Sequence, residues 1–102
     1  MRAAKIDVTQ RAIVDALRKA GATVQHLHTV GDGCPDLAVG FRGVNYMIEV
    51  KPNVGSPSRR NLRPNQQEWH DGWKGQSAVA STPEAALIII GHTIIPSRGV
   101  IS

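Results

Sequence analysis

The feature that most limits what this chain can fold into lies between residues 36 and 51. Two extended, largely apolar segments, Asp36–Gly40 (DLAVG) and Val44–Lys51 (VNYMIEVK), are separated only by Phe41, Arg42 and Gly43. Short apolar runs joined by a Gly-containing turn predict a β-hairpin. Successive side chains of a strand point to opposite faces, so Glu49 and Lys51 share one face while Ile48 and Val50 take the other. Asp36 opens the partner strand and falls near Glu49 if the two strands pair. Two carboxylates and an ammonium then gather on otherwise apolar strands. Burying charge is costly without a partner or a metal, so this cluster needs an explanation.

The rest of the chain supplies elements around that hairpin. Asp7-Val8-Thr9-Gln10 has the form of a capping box, and Ile13, Val14, Leu17 and Ala20 follow at helical spacing, which predicts a helix over Val8–Ala20 stopped by Gly21. Ala22–Val30 reads as a strand, and Gly31-Asp32-Gly33-Cys34-Pro35 as a turn. With the hairpin, this makes an antiparallel meander. Pro52–Leu62 (PNVGSPSRRNL) reads as a mobile loop. Pro64 sits at the first turn of a second helix running to about Trp73. Ser77–Ala80 is a short strand, and Thr82-Pro83-Glu84 starts a last helix that ends at Gly91. The order is α-β-β-β-α-β-α, a small α/β sandwich. Residues 92–102 read as a short tail, either an edge strand or irregular.

At 102 residues the chain is expected to form a single domain, residues 1–102. Its core must be aliphatic, since 41% of residues are hydrophobic but only 4% aromatic. The single cysteine, Cys34, excludes an internal disulfide framework and a Cys-cluster zinc site, and suits a reducing compartment such as a cytoplasm. No apolar run approaches the roughly 18 residues of a membrane span. The net charge of +4 suits a polyanionic partner.

The charged cluster fits metal-assisted phosphodiester hydrolysis. Asp36 and Glu49 offer hard oxygen ligands for Mg²⁺ or Mn²⁺, and the backbone carbonyl of Val50 is a further candidate ligand. Such an ion lowers the pKa of a bound water, and Lys51 would hold that water or stabilise charge on the phosphate. Arg59, Arg60 and Arg63 flank the cluster, and with Lys74 they are the candidate nucleic-acid contacts.

Pro35-Asp36 followed by Glu49-Val50-Lys51 resembles the PD-(D/E)xK nuclease signature. The stretch GDGCPDLAVGFRGVNYMIEVK, with Leu62-Arg63-Pro64-Asn65-Gln66-Gln67-Glu68-Trp69-His70 after it, is similar to stand-alone VRR-NUC domains of phages and bacteria. The resemblance implies a restriction-endonuclease-like αβββαβ sandwich with a mixed sheet flanked by helices. It also implies Asp36 and Glu49 as metal ligands, Lys51 as the catalytic lysine and Gln66 as a motif glutamine that helps arrange the site. Where that family often carries a first-helix Glu, this chain has Gln10, which could ligate through its amide oxygen but brings no charge. A homodimer acting on branched or flapped DNA, in the cytoplasm of a bacterium or of a phage's host, is the further implication. The competing reading is a binding or assembly module that keeps the fold without activity.

Other residues read more plainly. His26 and His28 suggest packing or phosphate contact rather than a metal pair. His70 reads as structural. Trp69 and Trp73 read as core or dimer surface rather than a base-stacking platform. Cys34 lacks a paired base and is not read as a nucleophile.

Overall fold

A computed structural model describes residues 8–92, and both Asp7 and the tail from Thr93 onward lie outside the described residues. The elements are α1 (Val8–Lys19), β1 (Thr23–His26), β2 (Leu37–Phe41), β3 (Val44–Val50), α2 (Pro57–Arg60), α3 (Pro64–Gly72), β4 (Ser77–Ala80) and α4 (Pro83–Ile89). The sheet order is β1-β2-β3-β4. The β1–β2 and β2–β3 pairs are antiparallel, whereas β4 lies parallel to β3. This is the expected mixed sheet. The parallel pairing follows from the connection, because α2 and α3 carry the chain back to the end where β3 began.

The hydrophobic pattern decides which side of each element faces inward. Ile13, Val14 and Leu17 form the buried stripe of α1. They meet Leu37, Val39 and Phe41 of β2, Ile48 and Val50 of β3, and Ala86 and Ile90 at α4 in one aliphatic core. Gly21 adopts φ +101°, and the amides of Gly21 and Ala22 bond back to the carbonyls of Arg18 and Leu17. That paired reverse bonding is a Schellman closure, which needs a left-handed residue where Gly stands. Thr82 caps α4, its hydroxyl accepting the Ala85 amide at 3.1 Å.

Several boundaries differ from the sequence reading; α1 and β3 each end one residue early, at Lys19 and Val50, and β2 runs one residue further, to Phe41. The first strand ends at His26 instead of Val30, because Val30 N–H turns back onto the Leu27 carbonyl and the chain leaves the sheet. Leu27 N–H still reaches the Asp36 carbonyl at 2.7 Å, so the ladder's last bond anchors Asp36. β2 opens at Leu37, one residue later than expected. The segment read as a wholly irregular loop contains α2, a single helical turn with Pro57 in its first position, where the fixed φ favours a helix start.

Leu37 and Ile48 are cross-strand partners, and neither has any solvent exposure. Ile48→Ala should therefore cost about 2–5 kcal/mol, read as a lower urea midpoint with an unchanged slope. A cost near that of an exposed aliphatic would mean this pair does not lie at the centre of the core.

Candidate active site

The β2–β3 register builds the site. With Leu37 opposite Ile48, the next pair outward brings Asp36 opposite Glu49. Asp36 is fixed twice: its carbonyl accepts Leu27 N–H, and its carboxylate Oδ2 accepts the amide of Val50 at 2.9 Å. Glu49 and Lys51 follow on one side of β3, as strand alternation requires, yet both are buried, at 3% and 7% exposure. The face that sequence leaves open to solvent is thus covered at this end. Lys51 N–H bonds to the Ala80 carbonyl, and its ammonium lies 3.9 Å from Glu49 Oε2.

The cover comes from α3. Gln66, in its first turn, takes Arg63 N–H on Oε1 at 2.8 Å and donates from Nε2 to Glu49 Oε2 at 3.2 Å. One amide therefore closes the helix start and holds the acid. The approach of α3 depends on Gly33, at φ +81°, where an added Cβ would sit 2.3 Å from the Asn65 carbonyl oxygen. Only a glycine allows the turn before Asp36 to touch the backbone beside Gln66.

The result is a cleft of about 340 Å³ lined by Gln10, Asp36, Glu49, Val50, Lys51, Arg59, Arg63 and Gln66. Sequence-predicted residues from five elements or their edges meet there. Arg60 and Lys74 do not line it; the Arg60 guanidinium bonds to the Gly55 carbonyl at 2.9 Å, and Lys74 is exposed beyond the end of α3. Gln10, buried on α1, joins the wall, with its Nε2 3.2 Å from His26 Nδ1. His26 was singled out only as packing or phosphate contact, and its spacing from Gln10 in sequence gave no signal for this pair. The Trp69 and Trp73 rings stack at 4.5 Å, but Trp73 is 45% exposed and neither belongs to the core, so the core reading of that pair is corrected. Cys34 is half-buried; burial, then the nearby Glu49 and Asp36 charges, push its thiol up, which disfavours the nucleophilic thiolate.

The electrostatics of Glu49 follow from this crowding. Burial and the neighbouring Asp36 charge raise its pKa to about 8, and Lys51 only partly opposes them. Its second oxygen, Oε1, is buried with no hydrogen-bond partner. A buried acceptor left empty beside a second carboxylate is the arrangement a cation would satisfy. Among the described residues no group of three or more His, Cys, Asp or Glu gathers to hold a metal. The donor set is two carboxylates supplemented by neutral oxygens, which suits Mg²⁺ or Mn²⁺ retaining water better than a closed zinc site.

A solved structure described as a VRR_NUC domain aligns with 82% of this chain and 91% of its own length, at a TM-score of 0.62 and 24% sequence identity. The fold is the VRR_NUC fold. At that identity the likeness speaks for architecture alone. No family model and no curated protein matches the chain. In the VRR_NUC fold of this chain, the hairpin and the capped α3 converge on the Asp36–Glu49 pair. No helix among the described residues is long and apolar enough to cross a membrane.

Two outcomes test this geometry. Between the ordinary carboxylate value near 4.5 and about 8, folded Glu49 keeps a proton that the unfolded chain has released. Unfolding then releases a proton, so in metal-free buffer the contribution of this group is fully present at acid pH and is lost as pH rises through 8. Glu49→Gln should flatten that decline in unfolding free energy over pH 5–8; an unaltered pH profile would contradict the buried, protonated acid. Gly33→Ala should displace the start of α3. It is expected to lower the thermal midpoint and also shift the Gln66 side-chain amide resonances in an NMR spectrum, whereas resonances unchanged from wild type would place the Gly33 contact elsewhere.

Proposed function

We propose that this chain is a metal-dependent endonuclease that hydrolyses phosphodiester bonds in DNA. The observation that carries the reading is the buried, partnerless oxygen of Glu49 beside Asp36 and Lys51 in a cleft flanked by arginines. The likeness to a VRR_NUC domain adds support.

Asp36 and Glu49 would hold one Mg²⁺ or Mn²⁺, with the Val50 carbonyl and the Gln10 amide oxygen as neutral candidates for the remaining protein positions. When bound, the ion supplies a water of lowered pKa and neutralises charge building on the phosphate. The chain's own residues do the rest. Gln66 ties Glu49 by Oε2 and so leaves Oε1 for ligation. The Asp36 carboxylate is held by the Val50 amide, which fixes the spacing between the acids. Lys51, buried next to Glu49, presents an ammonium to orient the attacking water or to stabilise the developing negative charge. Arg59 and Arg63, on the cleft wall, take phosphate oxygens; Arg60 and Lys74, outside the cleft, are proposed as further nucleic-acid contacts on basic charge alone. Branched or flapped DNA as substrate and a homodimer as the working form, in a bacterial or phage-host cytoplasm, complete the proposal. They rest on the resemblance to stand-alone VRR-NUC domains. The exposed Trp73 face of α3 is the surface assigned to a second copy.

Purified protein incubated with labelled four-way junctions, flaps and linear duplex should cut in Mg²⁺ or Mn²⁺ and not in EDTA. Asp36→Asn, Glu49→Gln and Lys51→Ala should each lower the cutting rate by about 100-fold or more, the scale of losing one electrostatic group at a reacting centre. Millimolar Mn²⁺ should raise the thermal midpoint of the wild type and leave Asp36→Asn unmoved. Cutting that persists in EDTA or in these variants overturns the mechanism, and tight binding without any cutting favours an inactive binding module.

A further inference from the structure

The cleft has a second flank that the arginines of α2 and α3 do not occupy. In the sheet order, β1 lies beyond β2 on one side of Asp36, while β3 and the α2–α3 connection lie on the other. Gln10 forms the wall on the β1 side. Its side chain lines the cleft, and its Nε2 meets Nδ1 of His26 at 3.2 Å. His26 in turn lines a separate hollow of about 170 Å³ together with Arg11, Val14, Asp15 and Arg18. One hydrogen bond thus joins the two spaces.

The chemistry of the hollow is that of an anion site. The amide of Gln10 pairs with Nδ1 of His26, which leaves the Nε2 edge of the ring turned away from that bond. Arg11 and Arg18 are exposed and stand seven residues apart on α1, which places them on one face roughly 10 Å apart along the axis. Asp15 lies between them in sequence. Asp15 also lines the hollow, so two guanidinium charges against one carboxylate leave it with a net positive charge; no ion pair within 4 Å joins Asp15 to either arginine among the described residues. Arg18 spends one N–H on the Val24 carbonyl, at 3.4 Å, which holds it against β1 and leaves its other donors available.

We propose that Arg11 and Arg18, with the His26 ring beside them, form a phosphate-backbone subsite for DNA, which holds the strand as it leaves the cleft across Gln10. This rests on the nuclease reading, and it gives the substrate a continuous path: Arg59 and Arg63 on one side, the carboxylate pair in the middle, Arg11 and Arg18 on the other. The contact is to phosphate and therefore carries charge but no base sequence.

The test measures binding of a labelled flap or junction in EDTA, where cutting is absent, across a range of KCl. Each phosphate contact contributes about 0.7–0.9 to the slope of log affinity against log salt. Arg11→Ala/Arg18→Ala should weaken binding and reduce that slope by about 1.4–1.8. Arg11→Lys/Arg18→Lys should restore most of the slope, and Arg42→Gln, in the β2–β3 turn, should leave it at the wild-type value. An unchanged slope in the alanine pair, or an equal loss in the lysine pair, overturns the subsite. A slope that falls as expected in a protein that never cuts retains the subsite and removes the nuclease reading instead.

Discussion

The site depends on one register. Pairing Leu37 with Ile48 sets Asp36 opposite Glu49, and Asp36 then takes the Val50 amide on its carboxylate. A slip of one residue would turn every side chain of β3 to the other face, sending Ile48 into the cleft and Glu49 into the aliphatic core. The same alternation that seals the core therefore fixes the acids. Core and site are two faces of a single strand, and the burial of Ile48 enforces the position of Glu49.

Placing two carboxylates opposite each other opposes folding, since like charges directly across a sheet repel. The chain offsets this locally. The Val50 amide steadies Asp36, Gln66 and Lys51 reach Glu49, and burial keeps the Glu49 proton on up to about pH 8. What stays unmet is Glu49 Oε1. A strained, incompletely satisfied polar group is poor for stability and well suited to ligation. The fold supports it by clamping α3 over the pair through the Gly33–Asn65 approach. The site is thus held from three directions: Leu27 just past β1, β3 through its own backbone, and α3 through Gln66.

The cleft is also polarised in its surroundings. Acidic groups sit at its floor with Arg59 and Arg63 on its wall, and Arg11 and Arg18 line the separate hollow on α1 that is the proposed second flank. Under the proposed function, this distribution would steer a polyanion's backbone across the acids, with a bound cation offsetting their charge. Gln10 stands at the crossing point, facing the floor and bonded to His26, which belongs to the second flank. Its neutral amide avoids adding a third negative charge to a pair that already repels.

The sequence by itself determined the hairpin, the helical stripe of α1 and the shared face of Glu49 and Lys51, because each is a local periodicity of two or 3.6 residues. It also placed the starts of α3 and α4, where Pro64 and Thr82-Pro83 carry the capping chemistry within a few residues. The roles of Gln66 and Gln10 came from a resemblance of motifs, since no period marks them. The early end of β1 and the turn of α2 escaped that reading, because competing turn bonds of Val30 and of the Ser56–Arg60 segment outweigh weak strand or loop composition. Only the tertiary structure decided that Gln66 reaches Glu49, that Gln10 meets His26, and that Arg59 and Arg63 turn to the cleft while Arg60 and Lys74 do not. These contacts join residues far apart in sequence or choose among neighbouring, equally charged ones. Their geometry is set by how whole elements pack, which no local pattern of side chains contains.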